Sequence, residues 1–224
     1  MNVVSATEAM IERLRSEGVL RSRTVEDALR FVPRHLFFDG VTLDAAYAET
    51  AVTVKVDADG TALSSASQPA IVAAMLELTK LEPGHRVLEV GGGTGYNAAL
   101  LSRIVGSGGL VVTIELEDDL AVAARSRLAD QGFLNVQVVA GDGAQGYPEA
   151  APYDRIIVTT GAAMVAPAWV DQLGEDGRLV TPVVDSGGIG MIHCYVKRAS
   201  DLEQIATMPC GFLPMRSAKQ LDIP

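Results

Sequence analysis

The sequence predicts an α/β fold, a doubly wound and mostly parallel sheet with helices on both faces and an antiparallel C-terminal edge. The first observation is an apolar run, residues 86–88, that leads into the glycine-rich segment 89–96 and then into a helix-like run. Strand, glycine turn and helix in this order open a nucleotide-binding sheet. The second observation is that short apolar runs then alternate with helical patterns, as in parallel βαβ units, before two segments of alternating polarity.

Composition places the chain among ordinary globular proteins. Its 224 residues are 48% hydrophobic and 21% charged, which is enough for a buried core and typical of one domain. We expect a single domain over residues 1–224. Residues 1–82 are expected to supply N-terminal helices and a substrate-side loop, and residues 83–224 the cofactor-binding sheet and a terminal hairpin.

The net charge, the N-terminal sequence and the few cysteines and histidines limit which partners and ligands the chain is expected to bind. The formal net charge of -10 argues against nucleic acid and against an anionic membrane surface. The N-terminus lacks the features of a signal peptide, and no run approaches the roughly 20 apolar residues of a membrane span. Two cysteines and three histidines do not form a metal-ligand pattern, so no metal is expected. We expect a cytoplasmic monomer with reduced thiols.

Two short helices are predicted near the N-terminus. Ser5 with Glu8 and Thr24 with Asp27 have the spacing of capping boxes, so each pair predicts a helix start. The second helix has to end before Pro33, because proline restricts the residue that precedes it.

Residues 37–67 show little periodicity. A stretch of this kind in a compact domain is usually a functional loop or a lid. It ends at a helix predicted over residues 68–81, which has Ile71, Met75 and Leu78 on one side.

After the glycine-rich segment the sequence predicts parallel strands joined by helices. The last two segments alternate polar and apolar residues, which predicts an antiparallel hairpin at the sheet edge. The predicted strands are residues 87–90, 110–115, 136–139, 155–159, 177–182, 191–197 and 204–213. Three helices are predicted between them: one that follows the glycine-rich segment and ends near residue 104, and two over residues 118–131 and 168–173.

The glycine-rich segment predicts a ligand-binding loop. Gly91, Gly93 and Gly95 stand at every other position, which lets the backbone approach a ligand where a Cβ would clash. Tyr96 begins the helix that follows and is a further candidate contact. Glu89 precedes the glycines, and a carboxylate there favours the cationic S-adenosylmethionine over the anionic pyrophosphate of a dinucleotide.

Acidic residues follow the next two strands. Glu115 ends the second strand, 20 residues after Gly95, where an acid can bind both ribose hydroxyls. Leu116 beside it is a further candidate. Asp142, in a turn with Gly143, can accept a hydrogen bond from an adenine amino group. A solvated strand end and a plain turn are the simpler interpretations of each alone, but such features at three successive strand ends favour one site.

Two alternatives for the loop stay open. Gly93, Gly95 and Ala98 also fit G-x-G-x-x-A, which is typical of a dinucleotide-dependent dehydrogenase. Glu89 and the turn at Asp142 argue against this class, as does the lack of a second, substrate-binding domain. The other alternative is a glycine-rich turn that binds nothing.

Three further segments are distinctive. They read Phe-Val-Pro-Arg-His-Leu-Phe at residues 31–37, Ser-Gln-Pro at residues 67–69 and Gly-Asp-Gly-Ala-Gln-Gly at residues 141–146. With the glycine loop they resemble the protein-L-isoaspartate O-methyltransferase family, and the similarity extends over nearly the whole chain. The resemblance implies the class I S-adenosylmethionine-dependent methyltransferase fold.

The resemblance implies methyl transfer from S-adenosyl-L-methionine to the carboxylate of an isoaspartyl residue in a protein or peptide, with S-adenosyl-L-homocysteine as the second product. The ester then closes to a succinimide, which can reopen as aspartate. Ser67 is implied to lie beside the methyl donor and the carboxylate, as the catalytic residue. Ser65, Ala66, Gln68 and His35 are the candidates for further substrate contacts.

Two loops that are expected to border the acceptor depart from the family pattern. Residues 52–66 stand where the family has a segment like Leu-Pro-Ile-Gly-x-Gly-Gln-Thr-Ile-Ser, and residues 160–164 where it has Ala-Ala-Pro-Pro. Within the first, Lys55, Asp57 and Asp59 are candidate contacts for a charged peptide, although such a run is more often simply solvated.

The acceptor therefore has alternatives. Ser-Ser-Ala-Ser at residues 64–67 and Pro-Ala-Trp-Val-Asp-Gln-Leu at residues 167–173 resemble an actinobacterial branch of the family that is associated with ribosomally made, modified peptides. The same chemistry on an aspartate of such a peptide, leading to an aspartimide, is one alternative. A cofactor- and peptide-binding module without turnover is the other.

Overall fold

The computed structural model describes residues 2–216, in which a seven-stranded sheet, a two-stranded hairpin and helices are found. No helix in this range is long and apolar enough to cross a lipid bilayer. The helices are α1 (Val3–Ser16), α2 (Arg23–Phe31), α3 (Leu43–Tyr47), α4 (Pro69–Thr79), α5 (Tyr96–Val105), α6 (Asp118–Asp130) and α7 (Pro167–Gln172). The strands are β1 (Val52–Val56), β2 (Ala62–Ala66), β3 (Arg86–Val90), β4 (Leu110–Glu115), β5 (Val136–Ala140), β6 (Tyr153–Val158), β7 (Leu173–Val184), β8 (Ile189–Arg198) and β9 (Asp201–Gly211).

The large sheet is doubly wound, which confirms the predicted fold class. Its strand order is β5-β4-β3-β6-β7-β8-β9. The strands from β5 to β7 are parallel, and β8 and β9 extend the edge through antiparallel pairing. The chain grows outward from β3 in both directions, and ligands bind outside the carboxyl ends of the strands at such a switch point.

Hydrophobic cores cover both faces of the sheet. Alternate residues of a strand point to opposite faces, so Val87 belongs to the core that includes residues of α1, α2, α4, α5 and α6, whereas Leu88 and Val90 belong to the core that includes α7. From Val87 onward, β3 is completely buried. Burial on both faces explains why residues 87–90 are apolar apart from Glu89.

Residues 37–67 are more regular than predicted. They contain α3 and the antiparallel hairpin of β1 and β2, so the prediction of an irregular loop is wrong. The pairing shifts register on both sides of Lys55, and β2 is half-buried along its whole length, which removes the strict alternation that identifies a strand. Asp57 closes the turn, where its Oδ1 accepts from the N–H groups of Asp59 and Thr61 at 2.9 and 2.8 Å.

The first two helices begin earlier than predicted. Asn2 caps α1, because its Oδ1 accepts from the N–H of Ser5 at 2.9 Å. Ser22 caps α2 by accepting from the N–H of Val25 at 3.3 Å. Asn and Ser are among the strongest capping residues, so the predicted starts were a few residues late. The end of α2 before Pro33 is confirmed.

Gly95 joins the glycine loop to α5 and packs on α6. Its φ is +88°, and a Cβ there would lie 3.2 Å from Leu128 Cδ1 and 3.3 Å from Ala124 Cβ. Gly132 has a φ of +79° but no atom within 4 Å of the Cβ position. We predict that Gly95→Ala lowers the free energy of unfolding by about 2–4 kcal/mol and Gly132→Ala by about 1 kcal/mol, measured by urea denaturation. Equal losses would contradict the packing role of Gly95.

Candidate active site

A cavity of about 770 Å³ opens at the carboxyl ends of the parallel strands, at the switch point beside β3. The glycine loop and the end of β4 form one wall. The end of β2 and the start of α4 form the opposite wall, and the end of β9 with the residues after it forms a third side. The cavity therefore lies between the parallel sheet and the hairpin of β1 and β2.

The glycine loop presents its backbone to the cavity. Gly91 has a φ of +98°, and a Cβ there would lie 2.7 Å from Thr159 Oγ1. Gly93 has a φ of +51°, and its Cβ position lies 3.8 Å from Ser64 Oγ of the hairpin, which is van der Waals contact. Thr159 Oγ1 donates to the Gly91 carbonyl at 2.6 Å, which fixes the loop to the end of β6. Positive φ values favour glycine at both positions and keep side chains off this wall.

Glu89 lies below the loop and not in the cavity. It is fully buried, and its carboxylate accepts hydrogen bonds from Thr113 Oγ1 at 2.6 Å and Asn97 Nδ2 at 2.7 Å. Burial raises the pKa of Glu89 to about 7; Glu115 adds to the rise, and the two hydrogen bonds oppose it. The predicted cofactor contact of Glu89 is therefore corrected, because its carboxylate joins β3 to β4 and α5 instead.

Gly95 and Tyr96 are not brought to the main cavity. The Cβ position of Gly95 points at α6, and Tyr96 is buried against Phe37 at 5.5 Å between ring centres. Tyr96 and Ala66 instead border a smaller cavity of about 50 Å³ beside the main one. These placements differ from the predicted contacts with cofactor and substrate, because Gly95 packs on α6 and Tyr96 on Phe37.

Glu115 reaches the cavity from the end of β4, where it was predicted. Its Oε2 accepts from the Gly93 N–H at 2.6 Å and its Oε1 from the Glu117 N–H at 3.0 Å. The side chain is 7% exposed and is thus held between the loop and the strand. Each oxygen keeps a second lone pair for another donor. Leu116 lies beside it on the cavity wall.

The turn after β5 contributes Gly143 to the wall. A Cβ at Gly143 would lie 2.4 Å from Val90 Cγ1, and the Gly143 carbonyl accepts from Trp169 Nε1 at 2.8 Å, so the turn is pressed onto the end of β3. Asp142 stands next to the wall, and its Oδ1 accepts from the Ala144 N–H at 2.9 Å. Its contact with an adenine stays a prediction.

Hydroxyl groups form the opposite wall. Ser65, Ser67 and Gln68 line the cavity, with Ser67 in the short connection between β2 and α4. His35 is not among the lining residues, and its Nδ1 lies 3.2 Å from the Tyr47 hydroxyl. The structure therefore brings the two serines and the glutamine together and leaves the histidine aside, contrary to its predicted substrate contact.

Residues 209–216 also line the cavity, which the sequence did not predict. The Gly161 N–H donates to the Leu213 carbonyl at 2.8 Å, and the Met215 N–H donates to the Gly161 carbonyl at 2.6 Å. These bonds pin the segment to the loop after β6. Phe212, Leu213 and Pro214 match the family pattern, but the sequence did not place them at the cavity, because contacts with a distant loop decide their position.

Charged side chains connect the walls. Lys55 Nζ lies 2.5 Å from Glu117 Oε2 and 2.6 Å from Asp119 Oδ1. Arg216 Nη2 lies 2.8 Å from Glu117 Oε1. We call Lys55, Glu117, Asp119 and Arg216 the ion cluster. It joins β1, the segment after β4, the start of α6 and the end of the described chain, so Lys55 is paired within the protein and its suggested contact with a peptide stays a prediction.

A doubly wound sheet whose glycine loop and strand-end acid face one cavity is a nucleotide-binding arrangement, and its similarity to a solved methyltransferase structure makes it a class I S-adenosylmethionine-dependent methyltransferase fold. Within residues 2–216, no group of His, Cys, Asp or Glu side chains is placed to hold a metal ion. The model of the protein-L-isoaspartate(D-aspartate) O-methyltransferase family matches residues 5–220. The chain belongs to this family.

Curated relatives are similar over most of both chains. The protein-L-isoaspartate O-methyltransferase of Ignicoccus hospitalis is 38% identical over 206 residues, which cover 92% of this chain and 95% of the relative. Protein-L-isoaspartate O-methyltransferase 2 of Archaeoglobus fulgidus is 44% identical over 179 residues, which cover 80% of this chain and 78% of the relative.

Solved structures share the fold. A structure named protein-L-isoaspartate O-methyltransferase has a TM-score of 0.86 and 33% identity, and the match covers 94% of this chain but 66% of that one. A Plasmodium falciparum protein in complex with S-adenosyl-L-homocysteine has a TM-score of 0.80, with 96% of this chain and 99% of that one covered. At 19% identity, the second likeness concerns the fold alone.

The buried Glu89 makes stability depend on pH. Its pKa rises from 4.5 to about 7 on folding, so between these values the folded chain binds the proton more tightly and loses stability as pH rises. Glu89→Gln keeps a neutral side chain of similar shape. We predict that the difference in unfolding free energy between this variant and the parent chain grows by about 2–3 kcal/mol, in favour of the variant, as pH rises from 5 to 8. Urea denaturation across this range checks it, and a constant difference would contradict the raised pKa.

Proposed function

We propose that this chain transfers a methyl group from S-adenosyl-L-methionine to the free carboxylate of an isoaspartyl residue in a protein or peptide. The observation that carries the proposal is one cavity with the glycine loop and Glu115 on one wall and Ser67 on the opposite wall. This arrangement suits a donor bound along the sheet and an acceptor presented from the hairpin side. Membership of the family supports the same reaction.

The donor fits the sheet wall. The left-handed backbone at Gly91 and Gly93 leaves room for close approach, and Glu115 has acceptor capacity for ribose hydroxyls. Leu116 and Gly143 would flank an adenine near Asp142. S-Adenosyl-L-methionine supplies a sulfonium-bound methyl group that is electrophilic without further activation.

The acceptor needs orientation more than activation. A carboxyl group with a pKa of about 4 is ionised at pH 7, so it attacks without a general base. In-line placement against the methyl group and exclusion of water lower the barrier. We infer that the Ser67 hydroxyl donates to one carboxylate oxygen and leaves the other oxygen to attack. A neutral donor orients the carboxylate while reducing its nucleophilicity less than an ion pair would.

The transfer yields a methyl ester and S-adenosyl-L-homocysteine. The backbone nitrogen of the next residue then attacks the ester carbonyl, and methanol leaves. Water opens the resulting succinimide to aspartate or isoaspartate. These later steps need no residue of the cavity, so the role of the chain ends with the ester.

We further propose a polypeptide acceptor and a monomeric, cytoplasmic enzyme that binds neither nucleic acid nor membranes. The net charge of -10 supports the exclusion of polyanions. Cys194 and Cys210 are both free thiols, which suits a reducing compartment.

Ser67→Ala removes the proposed donor to the carboxylate. We predict that kcat with an isoaspartyl peptide falls about 10–100-fold, because a hydrogen bond to a charged group contributes roughly 1.5–3 kcal/mol. The Kd of S-adenosyl-L-homocysteine is expected to change less than about threefold. Transfer is measured with labelled donor and Kd by calorimetry. Ser126→Ala, an exposed serine on α6, is the control that should change neither. Equal losses of turnover and affinity in Ser67→Ala would remove its role.

The same assay with isoaspartyl and matching aspartyl peptides tests the proposed function. Turnover with the isoaspartyl peptide alone is the expected result. Turnover confined to a constrained aspartyl peptide would instead assign the same chemistry to a modified peptide. Tight binding of S-adenosyl-L-homocysteine without turnover on any of the peptides would contradict an enzymatic function.

The ion cluster joins the hairpin to the donor wall, so we expect it to slow cofactor exchange. Lys55→Gln removes its contacts with Glu117 and Asp119. Exposed ion pairs contribute roughly 0.2–1 kcal/mol each, so release of S-adenosyl-L-homocysteine is predicted to become about two- to fivefold faster. Stopped-flow fluorescence of Trp169, which contacts Gly143, measures it.

Lys80→Gln is the matched control for Lys55→Gln, because Lys80 is an exposed lysine at the end of α4. Its release rate should equal that of the parent chain. High salt should erase the difference between Lys55→Gln and the parent chain, because it screens the cluster. Equal rates at low salt, or a difference that salt leaves intact, would contradict a role of the ion cluster in exchange.

A further inference from the structure

Arg34 is a buried cation that the proposed reaction does not use. It is 1% exposed, its guanidinium donates to backbone carbonyls, and the carboxylate of Glu49 acts on it only through its charge. Burial lowers the pKa of Arg34. A guanidinium buried without a carboxylate partner is costly in free energy, so a role in stability alone accounts for it poorly.

Backbone carbonyls and aromatic rings hold the guanidinium. Nε donates to the Ala46 carbonyl and Nη2 to the Ser67 carbonyl, both at 2.7 Å. The guanidinium carbon lies 5.2 Å from the ring centre of Phe38 and 4.8 Å from that of Tyr96. Cation–π attraction is significant at these distances. Arg34 therefore has directional contacts with four residues at once.

Two of these contacts link the acceptor wall to the helix that follows the glycine loop. Tyr96 is the first residue of α5, directly after the glycine loop, and Ser67 belongs to the acceptor wall. The hydrogen bond to the Ser67 carbonyl fixes the backbone that carries the proposed catalytic hydroxyl. A planar guanidinium can hold a ring and two carbonyls in fixed geometry, which a lysine ammonium cannot.

We propose that Arg34 is a positioning residue for methyl transfer: it sets the Ser67 hydroxyl relative to the glycine loop, and with it the acceptor carboxylate relative to the methyl group. This inference rests on the proposed function. Arg34 acts through Ser67 and does not touch the reacting groups. A displacement of about 1 Å in such a site lowers the rate by up to about 10²-fold, so loss of this support is measurable.

Arg155 is a matched arginine without this role. Its Nε and Nη2 donate to the carbonyls of Thr79 and Lys80 at 2.6 and 3.2 Å, and burial lowers the pKa of Arg155 as well. It stands near the start of β6, whereas the cavity opens at the carboxyl ends of the strands. Arg155→Lys therefore makes the same chemical change away from the site.

A double-mutant cycle of Arg34→Lys and Ser67→Ala tests the proposal, with labelled methyl transfer to an isoaspartyl peptide as the assay. Alone, Arg34→Lys is expected to lower kcat about 10–100-fold and to change the Kd of S-adenosyl-L-homocysteine less than about threefold. In the Ser67→Ala background it is expected to lower kcat by less than about threefold, because residues that act as a unit are not additive. Arg155→Lys is expected to leave kcat unchanged.

Equal fold losses from Arg34→Lys in both backgrounds would overturn the proposal. An unchanged kcat would do the same, and so would a loss of cofactor affinity equal to the loss of kcat. If Arg34→Lys does not fold, Phe38→Leu replaces it in the cycle, because it removes one ring from the guanidinium. Its expected loss of kcat is about threefold in the parent chain and none with Ser67→Ala; equal losses again overturn the proposal.

Turnover by the parent chain distinguishes a failure of the proposed function from a failure of the inference about Arg34. A parent chain without turnover would overturn the proposed function and this inference together. An active parent chain in which Arg34 and Ser67 contribute independently would overturn the inference alone.

Discussion

The buried carboxylate of Glu89 is the constraint on which the active site depends. Through Thr113 and Asn97 it joins β3, β4 and α5 directly beneath the glycine loop. A Cβ at Gly92 would lie 2.6 Å from Thr113 Oγ1, so the loop can rest on this network only without a side chain. A fully buried carboxyl group lowers the stability of the folded chain near neutral pH, where it begins to ionise. Glu89 nevertheless stands at the point where β3, β4 and α5 meet.

The cavity is completed from two sides of that network. On the donor side, Glu115 reaches back to the N–H of Gly93, which couples the loop to the second parallel strand. On the acceptor side, Arg34 holds the backbone of Ser67 against the first residue of α5. The ion cluster then joins the hairpin and the end of the described chain to the segment after β4 on the donor side. The donor side and the acceptor side of the cavity are therefore held by different contacts, and both sets of contacts meet at the glycine loop.

The sequence predicted the parallel core well because strands buried on both faces are continuous apolar runs. Glu115 and Ser67, which were expected at the site, both line the cavity, and their roles stay predictions. The sequence misplaced Glu89, because an acid before a glycine loop looks the same whether it faces a ligand or the core. The hairpin of β1 and β2 and the segment 209–216 escaped prediction, since tertiary contacts with distant loops decide their positions. Arg34 lies within a recognised motif, but only the folded structure shows that it is buried and which residues it contacts.

A crystal structure of the chain with S-adenosyl-L-homocysteine and an isoaspartyl peptide tests the central claim most directly. The account predicts the ribose hydroxyls at Glu115, the peptide carboxylate at the Ser67 hydroxyl with one oxygen directed at the sulfur, and no contact between Glu89 and the ligand. A cofactor bound away from the glycine loop would contradict it. So would a peptide carboxylate that reaches the sulfur without Ser67.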